Sequence, residues 1–177
     1  MTQANPEFER IRGYLQAQAA KLTIAEIVEK LRVDTPPLLE AARSVPAAKF
    51  TVKPAPDDWS AAEVLTHVLA MNEQGASAIE GIISTGAVPP RITDQIDGTA
   101  RTDLAGAENY IRVWEERREA FYPRVLAAKG DEHLDVMMGH PMFGKLNWRE
   151  WLLFMRVHDL DHMRQLQGIT EHFAGHA

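Results

Sequence analysis

Residues 147–166 read NWREWLLFMRVHDLDHMRQL and have the pattern of a long amphipathic helix. Asn147 with Glu150 forms a helix-capping pattern, which predicts a helix over about 148–167 that Gly168 should stop. Within it, one set of residues recurs with alternating steps of three and four, as on the inner face of a bundled helix. The members of this stripe are Trp151, Met155, His158, His162, Gln165 and Ile169.

Three further helical patterns precede this helix. The first begins at Thr23 behind a capping box, and Pro36 and Pro37 interrupt its apolar stripe, so this helix should kink or restart there. The other two are expected over about 61–83 and over 102–126, where the third helix should begin at the threonine or aspartate that opens the range.

Four long helices without a convincing alternating strand predict an all-α fold, a four-helix bundle. The connections at 87–101 and 130–146 are longer than tight bundle turns, which indicates crossover connections or lids over a site. Residues 1–22 are expected to form an N-terminal extension with a short helix, 23–170 the bundle, and 171–177 a C-terminal tail.

Composition and charge narrow the function classes. The net charge of −6 repels phosphate backbones, so nucleic-acid binding is not expected. Arg117 and Arg118, in the densest basic stretch, lie among glutamates and are interpreted as a solvated helix face. No stretch resembles a membrane span or a secretory signal. The lack of cysteine excludes disulfides, thiolate ligands and cysteine nucleophiles, and favours a cytoplasmic protein.

Three histidines fall on inward stripes. His158 and His162 lie one turn apart on the last helix, and His67 lies between Val64 and Met71 on the matching stripe of the second long helix. Buried imidazoles without partners cost a few kcal/mol each. A shared divalent ion would give all three a partner, and imidazole suits Zn²⁺, Ni²⁺ and Fe²⁺. The pattern predicts a metal site that keeps a position open for water or substrate.

Satisfied core histidines are the competing interpretation, because a pair four residues apart arises readily by chance in a chain with seven histidines. His172 and His176 have that spacing as well, beyond Gly168, and are expected in a solvated tail. His140, in the second long connection, could swing over the site but is more simply interpreted as an exposed loop residue.

Asp159, Asp161 and Gln165 are candidates for binding the second ring nitrogen of a ligating histidine. The two aspartates are explained as well by solvent exposure or by pairing with arginines on the same helix. Residues 158–162 also resemble the inverted zincin motif His-x-x-Glu-His, but Asp161 is one methylene shorter than the glutamate base of that motif. A metallopeptidase is therefore ranked below a bundle metalloenzyme.

Two blocks carry a resemblance to a known family. The first is DWSAAEVLTH at residues 58–67, and the second is the stretch 147–166 quoted above. In this order, with capped helices between them, they resemble the DinB/YfiT-like superfamily over about residues 23–170. The resemblance implies a four-helix bundle with an up-down-down-up course and often a homodimer. It also implies a divalent metal ion held by three histidines, which are here His67, His158 and His162.

Members of that superfamily include transferases and isomerases that use a low-molecular-weight thiol, bacillithiol or mycothiol, and also metal-dependent hydrolases. The resemblance therefore implies a small-molecule substrate, and no residue is assigned a catalytic role. The family name refers to induction by DNA damage, which describes expression and does not imply DNA binding. The non-enzymatic alternative is a stress-associated protein whose histidine site binds metal weakly or not at all.

Overall fold

The computed structural model describes residues 6–90, 100–140 and 142–175. In chain order its helices are α1 (Pro6–Lys21), α2 (Ile24–Asp34), α3 (Pro36–Ser44), α4 (Ala61–Thr85), α5 (Ala107–Leu126) and α6 (Trp148–Ala174), with a 3-10 turn at Ala47–Lys49. Two strands, β1 (Met138–His140) and β2 (Gly144–Leu146), precede α6. Most of the connection at 87–101, predicted as a crossover or a lid, lies outside the described residues, as does His176.

The first column of the bundle consists of α2 and α3, which meet where the two prolines predicted a kink. Thr35 ends α2, and its Oγ1 donates a 2.6 Å hydrogen bond to the carbonyl of Leu31. Pro36 opens α3, where a missing backbone N–H is tolerated because the first turn has no partner for it. α4, α5 and α6 form the other three columns, and α1 packs against α6.

Contacts between the columns give their directions. Residue numbers rise together along the pairs that join α4 to α5, which are Thr66–Tyr110, Asn72–Arg118 and Glu80–Arg124. They run in opposite senses along the pairs that join α4 to α6, His67–His158 and Gly75–Met155. The same holds for the pairs that join the first column to α5, Arg32–Glu119 and Arg43–Glu108. The course is therefore up-down-down-up, as the family resemblance implied.

Capping boxes fix where the two longest helices begin, and both starts were predicted. At α4, the Ser60 hydroxyl accepts a hydrogen bond from the Glu63 N–H, while the Glu63 carboxylate accepts one from the Ser60 N–H at 2.7 Å. At α6, Asn147 and Glu150 make the same reciprocal pair. Gly86 ends α4 with a φ of 68°, a left-handed conformation that glycine adopts without strain.

The buried apolar residues form two clusters, one toward each end of the bundle. Along α6 the first cluster ends at Met155, and the second begins at Leu166. The buried residues of α6 between these two positions are polar: His158, Asp159 and His162. A polar layer therefore separates the two halves of the core.

The predicted start of α5 and the predicted end of α6 were wrong, whereas the end of α5 and the start of α6 were predicted correctly. α5 begins at Ala107 rather than at residue 102 or 103, because Gly106 adopts a φ of 74° that a helix cannot contain. α6 continues past Gly168 to Ala174. Ile169 is buried and Phe173 packs on the second cluster, and this burial outweighs the roughly 1 kcal/mol that a glycine costs inside a helix.

The expectation of no strand was also wrong. β1 and β2 pair antiparallel, with Met138 opposite Leu146 and His140 opposite Gly144. Each strand has three residues, which is too short for an alternating pattern to be recognised in the sequence. Among the described helices, none combines the length and the apolarity that crossing a membrane requires.

Ser60→Ala should lower the free energy of unfolding by about 1 kcal/mol, because the N-terminal N–H groups of α4 lose their side-chain acceptor. Urea unfolding measures the difference. Ser77→Ala is the matched control, since Ser77 is exposed in the middle of the same helix, where alanine is the better helix former. Equal losses in the two variants would contradict a capping role for Ser60.

Candidate metal centre

The three predicted histidines meet at one point in the polar layer. The Nε2 atom of His158 lies 2.9 Å from Nε2 of His67 and 3.1 Å from Nε2 of His162. One ring nitrogen from each residue can be chosen so that all three lie within 4.8 Å of one another. All three side chains are buried. The inward stripes of α4 and α6 thus bring together the residues that the sequence predicted.

Burial keeps the rings of His67 and His158 neutral near neutral pH. Loss of hydration lowers the pKa of His67 to about 4, and the neighbouring His162 adds to the shift. The pKa of His158 lies well below its ordinary value, first because of burial and then because of His162 and His67. A neutral imidazole has one nitrogen with a free lone pair, which is the form that binds a metal.

Gln165 determines which nitrogen of the His162 ring carries a proton. Its Oε1 lies 2.8 Å from Nδ1 of His162, so Nδ1 carries the proton and donates it to the amide oxygen. The Nε2 lone pair of His162 therefore faces the other two histidines. Among the three candidates for this role, Gln165 is the one that the structure places on a predicted ligand.

The donor set fits a divalent ion better than it fits hydrogen bonds between the rings. Both close contacts involve Nε2 of His158, which in a neutral ring either donates or accepts a hydrogen bond. If Nε2 of His162 carries no proton, the three nitrogens therefore do not have enough protons for a full set of hydrogen bonds. An ion instead accepts a lone pair from each. Two nitrogens bound at about 2.0–2.1 Å, at tetrahedral or right angles, are about 2.9–3.4 Å apart. The two separations that involve His158 match this range, and the His67 and His162 nitrogens lie within 4.8 Å of each other.

Aromatic rings surround the histidines. Trp59, half-buried just before α4, lies 5.3 Å from the ring of His67 and stacks parallel to that of His162 at 6.4 Å. Phe154 lies 5.5 Å from the ring of His158, one turn earlier on α6. These rings limit the access of water to the three nitrogens from two sides.

Comparison with known proteins agrees with this geometry. A sequence profile described as the DinB superfamily matches residues 28–166, well over half of the chain. The chain belongs to the DinB superfamily. All three histidines of the centre fall inside the matched range.

Two individual proteins are similar to this DinB chain. The uncharacterized protein YuaE of Bacillus subtilis (strain 168) is 23% identical over 136 residues, which cover 70% of this chain and 84% of YuaE. The crystal structure of TT2238, described as a four-helix bundle protein, superposes with a TM-score of 0.61 at 19% identity. It covers 82% of this chain and 99% of its own, and at this identity it shows the fold alone.

A buried ion pair beside the centre was not predicted. Arg118 and Asp159 are 2% and 1% exposed, and Arg118 Nη2 donates to Asp159 Oδ2 at 2.7 Å. The interpretation of Arg118 as part of a solvated face was wrong, whereas its neighbour Arg117 is half-exposed and pairs with Glu73 as a surface residue does. Asp159 pairs across the bundle and not along its own helix, because its partner lies on α5.

His140 is buried, so its interpretation as an exposed loop residue was wrong. The β1–β2 hairpin places its ring among Phe143, Trp151 and Phe154, with centroids 4.4–5.4 Å away. Its Nδ1 accepts the N–H groups of Met142 and Phe143 at 3.1 and 3.2 Å, and burial lowers its pKa to about 4. The ring is thus a neutral part of the hairpin's core.

The remaining candidates lie away from the three nitrogens. Asp161 is exposed, and within the described ranges no carboxylate joins the histidines as a potential ligand, which removes the basis of the zincin interpretation. Trp151, on the predicted inward stripe of α6, belongs to the first apolar cluster. His172 is half-buried within α6 rather than in a solvated tail.

The metal-free protein should become less stable as the pH falls from about 7 to about 5. His67 and His140 have pKa values of about 4 when folded and ordinary values of 6.5 when unfolded, so the unfolded chain takes up protons first. In that window each group contributes a slope of up to about 1.4 kcal/mol per pH unit. Urea unfolding across the pH range measures the slope.

His140→Phe isolates one of the two contributions, because phenylalanine suits the aromatic surroundings and does not titrate. We expect this variant to show a shallower loss of stability with falling pH, whatever its stability at neutral pH. A slope equal to that of the unaltered protein would show that His140 already binds a proton in the folded state at about pH 5.

Proposed function

We propose that this DinB protein is a metal-dependent enzyme that acts on a small molecule, with one divalent ion on His67, His158 and His162. The observation that supports it is the convergence of three buried imidazoles on one point, with two Nε2 separations of 2.9 and 3.1 Å. Zn²⁺, Ni²⁺ and Fe²⁺ all suit such ligands.

The residues around the ion have separate tasks. The three Nε2 atoms would hold the ion, and Gln165 keeps the proton of His162 on Nδ1, away from it. Trp59 and Phe154 exclude water from two sides of the ligand rings. A bound ion supplies Lewis acidity, which lowers the pKa of a thiol or of a water molecule in its open position.

The positive charge of the ion favours an anion in its open coordination position. The ligands are neutral, so a bound dication keeps its full charge, and no carboxylate from the described part of the chain joins the three nitrogens. A thiolate or a hydroxide in the open position would neutralise part of the positive charge of the ion. The sequence contains no cysteine, so a thiol has to come from a low-molecular-weight co-substrate. We therefore propose transfer to or from such a thiol, or hydrolysis.

A small-molecule substrate also agrees with the surface. Of the four arginines at 112–124, Arg118 is buried and the other three each pair with a glutamate, which leaves little unbalanced positive charge there for a nucleic acid. Association into a homodimer remains a prediction from the family resemblance.

Protein purified without a tag and without nickel resin should contain about one equivalent of a divalent transition metal by elemental analysis. His158→Ala should lose it, because two imidazoles cannot hold the ion as three do. His172→Ala is the matched control on the same helix, well beyond the centre, and should keep its metal. Full metal content in His158→Ala would overturn the assignment of the site.

An activity screen separates the two reactions. The metal-loaded protein is tested with thiols plus electrophilic small molecules, and with simple esters and amides. Consumption of thiol that depends on His158 indicates a transferase, and thiol-independent cleavage that depends on His158 indicates a hydrolase. Bound metal without either reaction would favour the stress-associated, non-enzymatic alternative.

A further inference from the structure

A network of four polar side chains spans three helices beside the histidines. Arg118 of α5 donates through Nη2 to Asp159 of α6, through Nε to the Asn72 amide oxygen of α4, and through Nη1 to the Tyr122 hydroxyl at 3.4 Å. The Asn72 amide nitrogen donates to the carbonyl of Val68 at 2.7 Å and to Asp159 Oδ1 at 3.5 Å. The three groups of Arg118 thus contact three different side chains.

The stability of the bundle alone does not explain this network. Moving an arginine and an aspartate out of water costs several kcal/mol per ion, and apolar pairs of similar volume are often as stable or more stable. Arg118 and Asp159 are both nearly inaccessible to solvent, so the cost applies in full. A buried ion pair is instead suited to selecting one arrangement of helices, because its geometry is directional and an apolar contact is not.

The network joins the two helices that carry the metal ligands. Asp159 directly follows His158 on α6, and Asn72 lies five residues after His67 on α4. On a helix of about 100° per residue, Asp159 is turned by about 100° from His158, and Asn72 by about 140° from His67. Each helix therefore presents its predicted metal ligand on one face and its network residue on another. When the network residue is held in place, the rotation of the helix is fixed, and so is the direction of the ligand.

Arg118 is held from a further side. Its guanidinium carbon lies 4.5 Å from the centre of the Trp114 ring, one turn earlier on α5. Because Tyr122 contacts it from the following turn, the guanidinium is fixed along α5 before it reaches α4 and α6. A planar group with several fixed donors can set the rotation of two neighbouring helices at once, which a lysine cannot.

We propose that Arg118, Asp159 and Asn72 are positioning residues that hold α4 and α6 in the rotation at which His67, His158 and His162 converge. The inference rests on the proposed metal site, and it assigns to the ion pair a role in ligand geometry. None of the three residues is among the histidines that would hold the ion.

The double variant Arg118→Met, Asp159→Leu tests this, because it removes both charges and leaves neither one unpaired. Thermal unfolding should show retained stability, while competition with a chelator should show Zn²⁺ binding weakened by about 10–100-fold, the usual effect of losing outer partners of metal ligands. Wild-type affinity in a folded double variant would overturn the inference, since a role in stability alone leaves affinity unchanged.

Arg118→Lys keeps the charge balance and loses the contact with Asn72, so it tests the same idea in a variant that is expected to fold. Its Zn²⁺ affinity should fall between those of the wild type and the double variant, and full wild-type affinity would count against the proposal. Arg156→Met is the matched control. Arg156 lies two residues before His158 but pairs with Asp34 of α2, so this variant should bind Zn²⁺ as the wild type does.

Crystal structures of the metal-free wild type and double variant separate this inference from the proposed function. The variant should show the His158 and His67 Nε2 atoms well beyond the 2.9 Å seen here, even if the wild type binds no metal. Wild-type protein that binds none of Zn²⁺, Ni²⁺ and Fe²⁺ overturns the proposed function. Unchanged ring positions in the variant overturn the positioning role.

Discussion

Three imidazole rings and an ion pair buried at one level of a helical bundle need a partner for every polar atom. In a low-dielectric interior, an unpaired donor, acceptor or charge costs a large part of the net stability of a domain of this size. The fold meets this requirement by collecting the polar groups into one layer: the histidines contact one another and Gln165, and Arg118 contacts Asp159 and Asn72. The rotation of each helix then has to satisfy both halves of the layer.

The apolar clusters on either side offset the free-energy cost of burying this polar layer. Each cluster contains large residues with almost no exposure, among them Trp148 and Trp151 in the first and Leu38 and Tyr110 in the second. Their burial contributes roughly 25 cal/mol for each Å² of apolar surface removed from water. Because the clusters hold the helices together above and below, the polar layer can be selected for geometry rather than for stability. The capping boxes at Ser60 and Asn147 fix the register at which the two ligand helices enter the layer.

The sequence predicted those parts that leave a periodic or local signal. A histidine on an apolar stripe at steps of three and four can be recognised from one helix alone, and so can a capping box. Arg118 and Asp159 could not be recognised in this way, because each lies among charged residues at helical spacing and its partner is 41 residues distant. Burial of such a pair depends on the relative rotation of three helices. The periodicity within one helix gives no information about that rotation. The hairpin around His140 was missed for a related reason, since a strand of three residues is defined by its partner.

The neutral state of His67 and His158 also bears on which kind of site the layer can form. With a pKa of about 4 for His67 and a pKa lower than ordinary for His158, these two metal-free rings carry no charge near neutral pH and do not repel each other. In the described part of the chain, a dication entering this layer would meet three imidazole nitrogens and an ion pair whose charges already cancel. Its own charge would then remain to be balanced by whatever occupies its open position. A structural zinc site with thiolate ligands cancels that charge within the protein. With neutral imidazole ligands, the positive charge of the ion would be balanced by the substrate or by hydroxide. The type of ligand is thereby connected with the chemistry proposed for the site.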